Sequence, residues 1–232
     1  VGVLFVGYVL LLPSDYISLA ESAVWQQGMA ANFYFWRHSG YFSAPSDFMP
    51  LLHTWSLAVE EQFYLVYPFV LVALSRLPVR WQIWGLVFAA LASLALSEWS
   101  LYRYPSATFY LLPTRSWELL VGGILSMLAP QFGRKAAFTS QVVSIAGVGC
   151  IMLPALTYSA ASPFPGARAL LPCLGAACLI YGGSIGWPFI NRFLSWPPIV
   201  HIGQLSYSLY LWHWPLIVFL KHTVGPSPSA YF

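Results

Sequence analysis

Long apolar runs separated by short polar or proline-containing breaks organise the chain. Residues 1–12 are apolar as far as Pro13 and read as the tail of a span. Ser14 and Asp15 supply caps for an amphipathic stretch reaching about residue 32. An aromatic segment, 33–37, and a turn-rich loop, 38–50, suit a membrane interface. Residues 51–75 are long enough to span and end near Arg76, Pro78 and Arg80; residues 81–97 span next. An aromatic loop, 98–114, leads to a shorter span, 115–129, which stops before Arg134 and Lys135. Residues 138–157, 169–186 and 203–220 follow as spans. The stretch 187–202, with Arg192 and Pro197-Pro198, reads as a turn, and 221–232 is polar. The pattern predicts an all-α polytopic transmembrane bundle of about seven membrane segments, the first incomplete. Helices are required because lipid offers backbone polar groups no other partner.

Composition narrows the class. Of the 232 residues, 59% are hydrophobic and only 7% charged, where a soluble domain carries about 25% charge. Soluble enzymes, disordered chains and nucleic-acid modules are therefore excluded, and no nucleic-acid partner is expected. The net charge of +3 is scattered and makes no basic patch. Cys150, Cys173 and Cys178 lie in apolar stretches and read as reduced packing residues. The start at Val1, inside an apolar run with no signal-peptide pattern, reads as an internal fragment. Basic residues fall almost equally on both sides of the spans, so they do not orient the bundle.

Polar residues inside spans are costly unless they meet a partner or a wet cavity, and three clusters stand out. At about 100° per residue, His53, Ser56, Glu60, Tyr64 and Tyr67 fall within roughly 80° of one another. Glu61 points away from that face. A buried carboxylate and imidazole on one face suit proton transfer, and the alternative is a structural carboxylate neutralised by arginines. Arg115 and Glu118 stand three apart, as a helix-surface pair or as a clamp on an anionic phosphate. Ser206, Tyr210 and His213 also share a face. They read as pocket lining or interhelical hydrogen bonding, or as a nucleophile with its base, although seven residues is too far for a direct Ser–His bond. No metal site is expected.

In this order, 32–42 (NFYFWRHSGYF), 50–68 (PLLHTWSLAVEEQFYLVYP), 115–123 (RSWELLVGG) and 202–215 (IGQLSYSLYLWHWP) resemble the membrane-bound acyltransferase 3 family. The likeness is to bacterial members that O-acetylate lipopolysaccharide O-antigen, peptidoglycan or exopolysaccharide. It implies that 1–232 is a partial acyltransferase 3 transmembrane domain in the bacterial inner membrane. It also implies transfer of an acetyl group from acetyl-CoA, a donor substrate and not a bound cofactor, to a sugar hydroxyl. Membrane lipid, acyl-CoA, the sugar acceptor and a fused or separate periplasmic SGNH-type domain are the implied partners. The family's first helix, with a basic residue and a catalytic histidine, and its basic stretch before the third helix find no counterpart here. The fragment alone is therefore expected to be inactive.

By the same resemblance, Glu60 would orient or charge-balance the absent histidine, and Tyr41 or a substrate hydroxyl would accept the acyl group. His53 would line the face near the periplasmic mouth. Arg115 would contact a phosphate with Glu118 orienting it, while Ser56, Glu61, Tyr64, Ser206, Tyr210 and His213 would contact substrate. The rival class is a permease whose intramembrane Glu and His residues form a proton or substrate path.

Overall fold

A computed structural model describes residues 1–38, 48–133, 137–159 and 162–224. Every regular element among them is helical. The chain divides into two compact units, Val1–Gln62 with Gly203–Phe232, and Phe63–Ile202.

The first unit contains α1 (Gly2–Leu10), α2 (Pro13–Gln27), α3 (Ala31–Arg37), the start of α4 (Thr54–Leu74) and most of α11 (Pro197–Val224). Helix α2 opens with Pro13 at its first position, where the missing N–H costs nothing, and Asp15 sits in its first turn. Its N-cap is Leu12, without a side-chain bond, so the capping expected of Ser14 and Asp15 does not occur. The stretch expected to continue to residue 32 breaks at Gly28 and Met29, where Met29 adopts φ +55°. Gln62 Nε2 donates to the Met29 carbonyl at 2.7 Å and to Asn32 Oδ1 at 2.8 Å. Asn32 is fully buried, and its Nδ2 donates in return to Gln62 Oε1 at 3.4 Å. This exchange fixes α3 against α4 at the break.

The second unit contains the rest of α4, then α5 (Val79–Ser100), α6 (Pro105–Tyr110), α7 (Leu112–Leu128), α8 (Ala137–Thr157), α9 (Leu170–Ile185) and α10 (Phe189–Leu194). Phe63, Leu86 and Leu120 form an apolar centre from α4, α5 and α7. Ser93 ties α5 to α7: its hydroxyl donates to the Pro113 carbonyl at 2.7 Å and accepts from the Trp117 N–H at 3.1 Å. Helices α8 and α9 meet through small residues. A Cβ on Gly147 would lie 2.8 Å from the Gly175 carbonyl oxygen, and Ser140 donates to the Gly182 carbonyl at 2.8 Å. Gly166 has φ +44°, which favours glycine, and Glu98 Oε2 accepts from the next N–H, Ala167, at 2.8 Å.

Among the described residues, four helical segments are long and apolar enough to cross a membrane: Thr54–Leu74, Val79–Ser100, Ala137–Thr157 and Gly166–Ile185. This corrects the expectation of about seven. Three of the expected spans fall away for separate reasons. Helix α1 has 9 residues and α7 has 17, short of a full crossing. Helix α11 has 28 residues, but its Ser, Gln, His, Tyr and Trp content dilutes its hydropathy. It also starts at Pro197 and not at residue 203, because a Pro-Pro pair fits the first turn of a helix as well as it fits a turn. The outward faces of the four segments are strongly apolar, with Phe69 70% and Phe88 74% exposed, as lipid-facing residues should be.

Candidate active site

His53 occupies the turn just before α4, one residue ahead of the first candidate span. It is 9% exposed, and neither ring nitrogen has a hydrogen-bond partner among the described residues. Against it stand two side chains from α11: the rings of Tyr210 and His213 lie 5.1 Å and 5.6 Å away, both edge-on. Burial, and then the positive charge that His213 can carry, push the His53 pKa down to about 4, with the Leu211 backbone opposing the shift. His53 is therefore neutral at pH 7 and keeps a lone pair for accepting a proton.

The Leu211 carbonyl that acts on this ring is left open by Pro215. Proline has no N–H to offer the carbonyl four residues earlier, so α11 leaves the Leu211 oxygen without its helical partner. That oxygen approaches His53 without completing a hydrogen bond.

Proton counting fixes the direction of the other bonds. A carbonyl only accepts, so the single Tyr210 hydroxyl proton goes to the His53 carbonyl. The Ser56 hydroxyl then donates to the Tyr210 oxygen at 2.6 Å and shares its proton with the His53 carbonyl at 3.3 Å. His213 Nδ1 lies 2.7 Å from the Tyr210 carbonyl and must be the protonated nitrogen, which leaves Nε2 as the acceptor on an exposed ring. Glu60, half-buried one turn beyond Ser56, acts electrostatically on Tyr210. The arrangement is a neutral imidazole held by a tyrosine–serine brace, with a second imidazole beside it and a carboxylate that acts on the tyrosine. We expect Tyr210→Phe to leave the His53 carbonyl and the Ser56 hydroxyl only their own longer bond of 3.3 Å and to cost about 1 kcal/mol. A thermal midpoint in detergent equal to wild type would refute the brace.

The other predicted residues that the structure describes have surroundings of their own. Tyr64 is 62% exposed, and Tyr67 stacks on Phe63 at 4.9 Å, both in the second unit. Glu61 is half-buried, with Oε2 lacking a partner among the described residues. Ser206 is exposed and donates to its own helix, at the Gly203 carbonyl, 2.7 Å away. Tyr41 lies outside the described residues. Among the described residues, no group of three His, Cys, Asp or Glu side chains could hold a metal.

Arg115 and Glu118 form an ion pair of 2.8 Å on α7 in the second unit. The guanidinium also faces the rings of Phe164 and Phe109 at 5.6 Å and 5.8 Å. A phosphate arriving there would meet a pair whose charges already cancel. Sequence reasoning did not single out Asn32 or Gln62 as a pair. A polar residue inside the aromatic run NFYFW was the available signal for a buried amide that needs a partner.

A family model described as an acyltransferase domain matches residues 2–232. Among similar proteins, one from Komagataeibacter xylinus, named as a membrane-bound transacylase, is 32% identical over 90% of this chain and 52% of its own length. One from Bacillus subtilis, named as a peptidoglycan O-acetyltransferase, is 28% identical over 90% of this chain and 38% of its own. One from Staphylococcus aureus strain COL, named as an O-acetyltransferase, is 33% identical over 91% and 37% respectively. The chain thus spans about half of the first relative and under two-fifths of the others. No solved structure matches it. With four spanning helices and a membrane-bound relative, the chain is a multi-pass inner-membrane protein.

Proposed function

We propose that this chain, which belongs to the acyltransferase 3 family, carries the part of a membrane O-acyltransferase that presents a sugar hydroxyl to an activated acyl group. The observation that supports this reading is the convergence of His53 with Tyr210 and His213. It brings an imidazole on the braced turn before α4 to 5.6 Å from a second imidazole on α11.

In the proposed reaction the acceptor hydroxyl hydrogen-bonds to the His53 imidazole, with His213 Nε2 beside it. As the hydroxyl oxygen bonds to the acetyl carbon, its proton passes to imidazole and the C–S bond of acetyl-CoA breaks. Coenzyme A leaves as a thiolate and takes up a proton. Glu60 offsets the imidazolium charge that forms, and Ser56 and Tyr210 position His53. Arg115 and Glu118 serve as a structural pair in this scheme. The names of the relatives point to peptidoglycan or another surface glycan as acceptor. An SGNH-type domain, fused or separate, would complete delivery.

The test uses the intact protein in proteoliposomes, with acetyl-labelled acetyl-CoA on one side and glycan on the other. Label should appear as an ester on the glycan. Label or glycan crossing unchanged, with no acetylated product, would establish a permease in its place.

A further inference from the structure

The first unit holds a cavity of about 200 Å³ lined by Asp15, Ser18, Ser22, Tyr34, Phe48 and His222, none of them in the His53 cluster. Its polar groups are biased toward accepting. The Ser18 hydroxyl donates to the Ser14 carbonyl at 3.3 Å, and Ser22 donates to Leu19 at 2.7 Å. Tyr34 donates its own proton to the Ser18 carbonyl at 3.1 Å. In these bonds each hydroxyl proton is taken and the lone pairs are left for a visitor, beside the Asp15 carboxylate. His222 Nε2 is buried and has no partner among the described residues, so a polar atom is needed there. An anion would meet Asp15 and a row of lone pairs. A neutral group carrying several O–H donors would satisfy them.

Size and surface narrow the occupant. Pockets for drug-sized ligands run to about 300–1,000 Å³, so this space takes one ring and not the nucleotide of coenzyme A. Leu19, Phe35 and Phe48 give it an apolar side, and the Phe48 ring stands edge-on to His222 at 5.3 Å. A sugar ring has both surfaces required: a hydroxyl edge that donates and a C–H face that packs on apolar carbon. The cavity is also tied to the proposed site. Met49 lines it, and the Met49 carbonyl accepts from Trp214 Nε1 at 2.9 Å, on the residue after His213.

We propose that this cavity is a saccharide subsite, holding one sugar residue of the acceptor chain while a neighbouring residue is acylated at His53. The inference rests on the acyltransferase reading for the identity of the chain it holds, but the binding itself does not depend on turnover.

The experiment is photolabelling of the intact protein in proteoliposomes with diazirine-bearing chitotetraose and cellotetraose, mapped by mass spectrometry. At least one probe should label peptides containing Asp15, Ser22, Phe48 or His222. Labelling should fall at least about fivefold in Asp15→Asn, which removes a charged acceptor, and in Ser18→Val, which fills space. With acetyl-CoA present, Asp15→Asn should raise the KM for glycan about tenfold and leave the KM for acetyl-CoA unchanged. Absence of cavity labelling by both probes, or equal labelling in folded variants, overturns the subsite. Cavity labelling without any acetyl transfer would sustain the subsite and defeat the acyltransferase reading.

Discussion

Replacing His53 by Ala in the intact protein should lower acetyl transfer to glycan by about a hundredfold. Proton transfer by a positioned side chain contributes typically 10²–10⁴-fold, most when its pKa lies near the working pH. His53, at about 4, lies well below neutrality, so the lower end of that range applies. The low value has a second consequence, visible on the pH axis. An ordinary histidine of pKa about 6.5 loses its lone pair as pH falls through that value. His53 retains it until pH approaches 4, so the acid limb of the transfer rate should lie below pH 5.5. Stability follows the same sign: unfolded His53 binds a proton below about 6.5 and folded His53 does not, so the native state weakens as pH falls from 6.5 toward 4. His53→Gln, neutral and still able to accept a hydrogen bond, should recover binding of glycan but not the rate. Full activity in His53→Ala, or an acid limb near 6.5, would remove His53 from the chemistry.

Gly147→Leu should strongly destabilise the second unit, costing about 3 kcal/mol or more and leaving little folded protein. A Cβ at 147 would sit 2.8 Å from the Gly175 carbonyl oxygen and 3.1 Å from Cys178 Cβ. The first obstacle is backbone, which cannot rotate aside, so α8 and α9 would have to separate along the contact. Separation would also break the Ser140–Gly182 bond and pull on Asn191 of α10, which accepts from Ser144 of α8 at 3.0 Å and donates to the Leu179 carbonyl of α9 at 3.1 Å. Gly149 provides the control: it lies on the same helix with nothing within 4 Å of its added Cβ, so Gly149→Leu should be tolerated. Comparable losses of monodisperse protein and of thermal midpoint in the two variants would refute close α8–α9 packing as the cause.

Much of this was legible along the chain, and the parts that were not have physical reasons. The apolar runs located α4, α5, α8 and α9, because lipid-facing helices need uninterrupted apolar length. The runs at α7 and α11 satisfied the eye but not the length or the hydropathy of a crossing. The helical repeat put His53, Ser56 and Glu60 on one side, and these three do surround Tyr210. The same repeat carried the face on to Tyr64 and Tyr67, which belong to the other unit, since periodicity says nothing about where a helix changes neighbours. The 157-residue separation between His53 and Tyr210 is tertiary information that spacing within one helix does not contain. The Asn32–Gln62 amide pair, 30 residues apart, was hidden for the same reason.

The gap that Pro215 leaves in α11 changes how the site would respond to systematic mutagenesis. The backbone oxygen that acts on the His53 ring belongs to Leu211, and its availability is written four positions later. An alanine scan would exchange the Leu211 side chain, keep the oxygen, and score the position as silent. The sensitivity would surface at Pro215, a buried residue that touches no ring nitrogen and would be filed as a core position. A map of functional residues drawn from side-chain replacement alone would therefore place this acceptor one turn away from where it stands.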